Sequence, residues 1–269
     1  MSKRSKKPKS WKSKGDTSVA ASALNSVQTN ALQQGINLDA LPAHIAIIMD
    51  GNGRFAQGNG FQRLWGHRQG YKTLKNVLLT AAQLGIKYLT VYAFSAENWR
   101  RPEDEVGGLM ALIEEAARHE LRGLKENNVR AQAIGRLHEV PLGLQEALQE
   151  MKEDTQHNTG IVFTLAINYG GRAEILDAIK TIIKDNPAGD ITEESINSAL
   201  YDPTLPEPDL LIRTAGELRW SNFLIWQAAY SELFVTQTTW PEFKEKELLE
   251  AVAHYQKRIR KFGGLADPQ

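Results

Sequence analysis

Residues 44–54 read His-Ile-Ala-Ile-Ile-Met-Asp-Gly-Asn-Gly-Arg. Ile45 to Met49 have the length and composition of a buried strand, and the run stops at an acid, Asp50, followed by Gly51-Asn52-Gly53-Arg54. A glycine-rich turn after a strand lets backbone N–H groups converge on an anion, because glycine has no Cβ to block close approach. A helix starting there adds positive potential, and Arg54 supplies a planar fork for phosphate oxygens. Asp50 would repel a bare phosphate, so the pattern points to a divalent cation between the two. The same letters also suit a plain Asp-Gly turn with a surface arginine, so the rest of the chain has to decide.

Outward from this stretch, strand-like and helix-like segments alternate. Lys87–Phe94 is β-branched and aromatic, and Val129–Gly135, Ile161–Asn168 and Asp209–Thr214 are similar short apolar runs. Tyr71, Leu74, Leu78 and Ala81 recur at helical spacing, as do Val106, Leu109, Met110, Ile113, Ala117, Leu121 and Leu124. Pro102 and the acids Glu103, Asp104 and Glu105 suit the start of that second helix. Further helices are expected over 141–154, 172–185, 192–200 and 244–261. The alternation predicts an α/β fold: one domain, a mostly parallel sheet covered by helices.

In such sheets ligands bind beyond the carboxyl ends of the strands. Four of the expected strand ends carry an arginine beside small or amide side chains. They are Arg54 after the first strand, Arg100 and Arg101 after the second, Arg172 after the fourth, and Arg213 with Arg219 after the fifth. Four on one rim imply one strongly anionic ligand, or two.

Composition narrows the classes. The 269 residues fit one large α/β domain with tails. No cysteine occurs, which excludes disulfides, thiolate metal sites and cysteine nucleophiles. No apolar run is long enough to span a membrane and no hydrophobic leader opens the chain, so a cytoplasmic protein is expected. Formal charge is zero, yet seven of the 32 basic residues (Lys3, Arg4, Lys6, Lys7, Lys9, Lys12 and Lys14) lie in the first 14. Residues 1–38 therefore read as a disordered basic arm that solubilises the chain or touches an anionic membrane surface. The remaining body is net acidic, which argues against nucleic acid as a partner. No P-loop, no complete dinucleotide fingerprint and no Gly-x-Ser-x-Gly is present. Of the six histidines only His67 falls near the first loop.

The motifs, taken in order, resemble the cis-prenyltransferase family, in particular its bacterial undecaprenyl diphosphate synthases. They are HIAIIMDGNGR at 44–54, Gly66-His67-Arg68, AFSAENWRRPEDEV at 93–106, INYGGRAEI at 167–175, DLLIRTAGELRWSNFLIWQAAYSEL at 209–233, and Trp240-Pro241. The resemblance covers about residues 41–264. It implies a catalytic domain over 39–264 with a short tail at 265–269, a sheet of about six strands, and a hydrophobic tunnel between the sheet and two helices. It also implies a magnesium-dependent enzyme that condenses isopentenyl diphosphate repeatedly onto an allylic diphosphate such as farnesyl diphosphate.

By the same resemblance, Asp50 holds Mg2+ and guides departure of the allylic diphosphate. Gly51, Asn52, Gly53, Arg54, Arg63, His67 and Arg101 cradle that diphosphate. Arg213, Arg219 and Ser221 hold the diphosphate of isopentenyl diphosphate. Glu232 adds a metal ligand, from across or near that site, and Ser95, Asn98 and Trp99 order the loop between the sites and place the condensing carbons. A homodimer follows too, with the segment around Phe223–Phe234 as its candidate contact. Phe55, Ala96, Ala215 and Lys261 depart from the family's usual residues, though none removes a diphosphate-binding charge from the body. A non-catalytic subunit of a heteromeric complex, the alternative, would be expected to lose Asp50 or these arginines.

Overall fold

The computed structural model describes residues 24–259. Strands β1 (His44–Ile48), β2 (Tyr88–Ser95), β3 (Arg130–Ile134), β4 (Val162–Tyr169), β5 (Leu210–Arg213) and β6 (Glu232–Val235) form one sheet in the order β3-β4-β2-β1-β5-β6. Every neighbouring pair is parallel. Eight α-helices are found among the described residues: α1 (Ser26–Gln33), α2 (Asn52–Gly58), α3 (Arg63–Leu84), α4 (Glu103–Glu126), α5 (Leu142–Thr155), α6 (Gly171–Asp185), α7 (Glu193–Ala199) and α8 (Glu245–Gln256).

The strands read as continuous apolar runs because both faces of the sheet are covered. Ile45, Ile47, Leu89, Val91, Leu210 and Ile212 point to one core, shared with α3, α4, α5 and α8. Ala46, Ile48, Tyr92, Ala166 and Leu211 point to a second, smaller core closed by Phe223, Leu224 and Ala228. Helix α3 stops at Gly85, whose φ of +112° is the left-handed C-cap that glycine adopts without strain. Helix α4 starts one residue after Pro102, with Glu103, Asp104 and Glu105 in its first turn.

Several expectations need correction. The arm does not stay disordered to residue 38, since α1 occupies Ser26–Gln33 and a 3₁₀ turn follows at Leu38–Ala40. Asn25 and Gln28 form a reciprocal cap, Asn25 donates to the Gln83 carbonyl at 2.8 Å, and Asn30 donates to Glu245 at 2.7 Å. Only Val27 and Ala31 of this helix are buried, so it is held by caps and polar ties that hydrophobic periodicity does not register. The seven basic residues, Lys261 and the 265–269 tail lie outside the described residues. The last helix ends at Gln256 rather than 261. Within the candidate dimer segment Phe223 and Leu224 are fully buried inside the chain, while Tyr230 is 60% exposed.

Candidate active site

Strands β1 and β5 are neighbours, with Ile48 level with Arg213. That register brings two sequence-distant residues together at the carboxyl rim. Arg213 Nη2 donates to Asp50 Oδ2 at 2.9 Å, and its Nη1 donates to the Arg219 carbonyl and, at 2.7 Å, to Ser221 Oγ. Arg213 is almost wholly buried, whereas Asp50 keeps about a third of its side chain in solvent. The Asp50 carbonyl accepts from Thr214 Oγ1 (2.7 Å) and the Trp240 N–H (2.9 Å), and its Oδ1 accepts from the Gly51 N–H.

Gly51 caps α2 with φ +98°, and a Cβ there would sit 2.8 Å from Ala215 Cβ. Only glycine fits both the backbone and the space. At Gly70 a Cβ would fall 2.2 Å from Asn52 Oδ1, so α3 packs directly on the turn. The loop after β5 is unusual: Ala215, Ser221, Asn222 and Leu224 all have positive φ. Left-handed non-glycine residues cost about 1 kcal/mol or more each and persist where surrounding structure enforces them. Here they fold the chain back so that Arg219 and Ser221 meet Arg213.

Carboxylates already engage the cationic groups of the rim. Glu105 holds Arg63 at 3.1 Å and Arg101 at 3.0 Å, and lies 3.9 Å from His67 Nε2. Glu217 bridges Arg54 at 3.5 Å and Arg219 at 2.5 Å. Arg54 also lies 3.7 Å from Asp50. Burial, then the Arg101 guanidinium, lowers His67 to about 4, with Glu105 opposing and Arg63 adding to the fall. The imidazole is therefore neutral near pH 7.

A cavity of about 760 Å³ opens at this rim and runs between the sheet and α3 and α4. Asp50, Asn52, His67, Ser95, Asn98, Arg101, Arg213, Arg219 and Ser221 line its polar mouth. Deeper, Leu74, Leu78, Leu109, Ile113, Leu124 and Phe163 make the wall apolar. Asn52 Oδ1, His67 Nε2 and Arg213 Nε are buried at the mouth and make no hydrogen bond. Unpaired buried polar atoms are rare, and three around one opening mark a place built to meet a polar ligand. A charged mouth over an apolar barrel suits a molecule with an anionic head and a hydrocarbon tail.

The other expected residues divide. Ser95 and Asn98 stay at the mouth, the Asn98 Oδ1 accepting from the Ser95 N–H at 3.1 Å. Trp99 turns away: its Nε1 donates to Asn168 Oδ1 at 2.7 Å, and its ring meets an outer groove along α4 instead of the cavity. Arg172 is exposed, its backbone N–H tied to Asn222, and it does not line the cavity. Glu232 is not brought to Asp50 within the chain. It opens β6 level with Leu210, three residues before the level of Arg213, and pairs with Arg258 at 3.0 Å.

No cluster of three or more His, Asp or Glu side chains able to hold a metal occurs among the described residues. Magnesium, however, binds through one or two carboxylates completed by substrate phosphates and water. Asp50, partly open to solvent at the mouth, fits that donor set, and within the chain Glu232 lies apart from it. Reading the sequence missed Glu105, although it stands four residues after Arg101, and Glu217, two before Arg219. It also read Tyr71 only as an apolar position.

Comparison with known proteins shows the family. A family model described as putative undecaprenyl diphosphate synthase matches residues 48–263. An isoprenyl transferase of Clostridium perfringens is 50% identical over 232 residues, covering 84% of this chain and 92% of that one. The ditrans,polycis-undecaprenyl-diphosphate synthase of Micrococcus luteus, named as (2E,6E)-farnesyl-diphosphate specific, is 46% identical and covers 86% of this chain and 94% of its own. Among solved structures, lavandulyl diphosphate synthase from Lavandula x intermedia, in complex with dimethylallyl diphosphate, superposes with a TM-score of 0.79 at 36% identity, covering 84% of this chain and 99% of that one.

Proposed function

The chain belongs to the undecaprenyl diphosphate synthase family of cis-prenyltransferases, and from that premise we propose which reaction it runs. It is an enzyme that transfers prenyl groups. The proposed reaction joins isopentenyl diphosphate repeatedly to an allylic diphosphate, with farnesyl diphosphate as starter and Mg2+ as cofactor. Each step uses the isopentenyl double bond to form a new C–C bond as the allylic C–O bond breaks, releases diphosphate and a proton from the isopentenyl unit, and leaves a cis double bond, giving a long-chain polyprenyl diphosphate such as undecaprenyl diphosphate. The observation that carries this reading is the Asp50–Arg213 pair at the polar mouth of a cavity whose deeper lining is mostly apolar.

In this reading the allylic diphosphate sits over Gly51, Asn52, Gly53 and Arg54, within reach of Arg63, His67 and Arg101. Arg213, Arg219 and Ser221 hold the diphosphate of isopentenyl diphosphate. When the allylic C–O bond breaks, its electron pair goes to the leaving diphosphate, where fixed guanidinium and N–H donors stabilise the growing charge without reorganisation. Magnesium, held with the substrate oxygens by Asp50, would neutralise part of that charge. Holding both heads on one rim keeps the isopentenyl double bond beside the allylic carbon, which supplies the proximity part of the rate. Ser95 and Asn98 shape the wall between the heads, and the neutral His67 donates or accepts without repelling the arginines. The hydrocarbon grows into the dry cavity below.

Asp50, Arg54, Arg213 and Arg219 are all present, which disfavours the non-catalytic subunit. We further propose a homodimer, supported by the half-buried edge strand β6 and the exposed Tyr230 beside it. No helix among the described residues is long and apolar enough to cross a membrane. Peripheral contact of a cytoplasmic enzyme with a membrane surface, through the basic arm, completes the proposal. The test is incubation with isopentenyl diphosphate, Mg2+ and several allylic starters, with mass analysis of the products. A ladder of products separated by isoprene units is expected. No product from any starter would overturn the reading, and full turnover in excess chelator would remove the metal from it.

A further inference from the structure

The cavity wall holds one polar cluster that the chemistry at the mouth does not use. Tyr71 and Lys75 on α3 face Glu120 on α4: the Tyr71 hydroxyl donates to Glu120, and Lys75 Nζ pairs with it at 2.9 Å. All three line the cavity, and Lys75 and Glu120 keep 26% and 20% of their side chains in solvent. The cluster therefore ties α3 to α4 within the cavity wall. Around it the lining of both helices is apolar: Leu74 and Leu78 on α3, Ile113, Ala117 and Leu124 on α4.

Depth gives the cluster its meaning. Helices α3 and α4 both descend from the rim, since Arg63 meets Glu105 at the top and Lys75 meets Glu120 lower down. Glu120 lies 15 residues below Glu105, about 22 Å along the helix. Leu124, one turn further, closes the bottom with Met151 of α5 and Phe163 of β4, and those two are buried in the main core. A hydrocarbon that fills this space meets a close-packed floor, which resists displacement. The seam between α3 and α4 is different, because a partly accessible ion pair spans it and can separate and re-form.

We propose that Tyr71, Lys75 and Glu120 form a latch across the α3–α4 seam that sets product length, opening sideways to let a chain longer than the cavity pass toward solvent. The inference rests on the prenyl-transfer reading of the site. Closed, the latch puts a carboxylate and an ammonium in the path of the tail, and bringing hydrocarbon against them costs their solvation. Elongation then ends when the next isoprene unit can no longer be accommodated without opening the seam. The latch acts through the shape of the tail's path and touches no reacting atom.

The test uses the full-length protein and reads the product ladder by mass. Replacing both charges in the double variant Lys75→Met with Glu120→Met shifts the main product longer by at least one isoprene unit. The swap Lys75→Glu with Glu120→Lys restores the original ladder. Tyr71→Phe removes a single hydroxyl, leaves folding intact, and shifts the ladder the same way by less. The first condensation, measured with one equivalent of isopentenyl diphosphate, stays within about two-fold in every variant, because the head-group residues are untouched. An unchanged or shortened ladder in the double variant and in Tyr71→Phe would overturn the latch. Failure of the first condensation in the unaltered protein would instead overturn the prenyl-transfer reading, so the two failures are distinguishable.

Discussion

The two faces of the sheet carry different kinds of core. Under α3, α4, α5 and α8 the side chains are almost wholly apolar and leave the cavity between them. The opposite face is aromatic and hydrogen-bonded. Tyr92 stacks on Phe223 at 4.5 Å, and the buried Glu174 accepts from the Tyr169 hydroxyl at 2.5 Å, Gln227 Nε2 at 2.8 Å and the Tyr201 N–H at 3.1 Å. The first face makes room for hydrocarbon. The second anchors the loop of left-handed residues that carries Arg219 and Ser221, so head-group geometry is fixed from behind the sheet while the tail is held in front of it.

Removing the Asp50 charge, which sits between the two head-group positions, gives the largest expected effect. Asp50→Asn keeps the side-chain shape but deletes the carboxylate beside Arg213, and kcat should fall on the order of 10³-fold, about 4 kcal/mol. Circular dichroism should change little, while thermal melting should drop because the buried Arg213 loses its counter-charge. Turnover near that of the unaltered enzyme would detach the chemistry from Asp50.

Next come truncations that set one face against the other. Phe223→Ala should cost about 4 kcal/mol, because a fully buried ring stacked on Tyr92 is lost from a tight core. The KM for isopentenyl diphosphate should also rise as the loop loosens. Leu78→Ala, beside a cavity that already exists, should cost closer to about 2 kcal/mol and leave that KM alone. Urea unfolding and steady-state kinetics check both. Equal costs would mean that the faces do not differ as described.

These contrasts also explain what the sequence could reveal. Strands β1, β2, β4 and β5 were legible because burial on both faces writes them as unbroken apolar runs. β6 was not: its four residues are only half-buried at the sheet edge, and one is Glu232. Helix α1 was hidden because caps, not an apolar stripe, hold it. At the site, Asp50, Arg54 and Arg213 stood out as strand-end residues. The carboxylates that engage the arginines did not, because Glu105 and Glu217 look like solvated surface acids until register and loop geometry turn them inward. Trp99 matched a motif, yet its contact with Asn168 depends on packing between strand ends that spacing does not encode.

Coupling between the two head-group positions is the next effect down. Glu217 touches both Arg54 and Arg219, so the positions are not independent. Arg54→Ala should chiefly impair the allylic substrate and Arg219→Ala the isopentenyl one. The double variant should depart from additivity by about 1 kcal/mol in kcat/KM, and replacing Glu217 as well should abolish the departure. Strict additivity would show that the shared carboxylate is a bystander.

The faces should also titrate with opposite sign. His67, toward the cavity, is lowered to about 4, so between pH 6.5 and 4 the unfolded chain binds the proton that the folded chain refuses. Stability from this source is complete above pH 6.5 and is lost as pH falls through that window. Buried His44 shares the sign, lowered to about 4 by burial. Glu174, behind the sheet, is raised by burial, so its contribution is lost as pH rises above 4.5. Between pH 7 and pH 5, His67→Gln should lose about 2 kcal/mol less stability than the parent, and Glu174→Gln should lose more. Identical slopes in urea midpoints would contradict these assignments.

The smallest expected effect on chemistry comes from the basic arm. Removing residues 1–23 spares α1, whereas a cut at residue 35 also deletes the helix tied to Gln83 and Glu245. Turnover in detergent should stay within about three-fold for the shorter truncation, because every residue placed at the mouth lies at or after Asp50. Binding to anionic vesicles should fall, most clearly at low salt, since each basic residue near such a surface contributes about 1 kcal/mol. Unchanged vesicle binding would reduce the arm to a solubilising tail. Loss of detergent-phase turnover would make it part of the site, and would move the division of labour off the two faces of the sheet and onto the chain's own terminus.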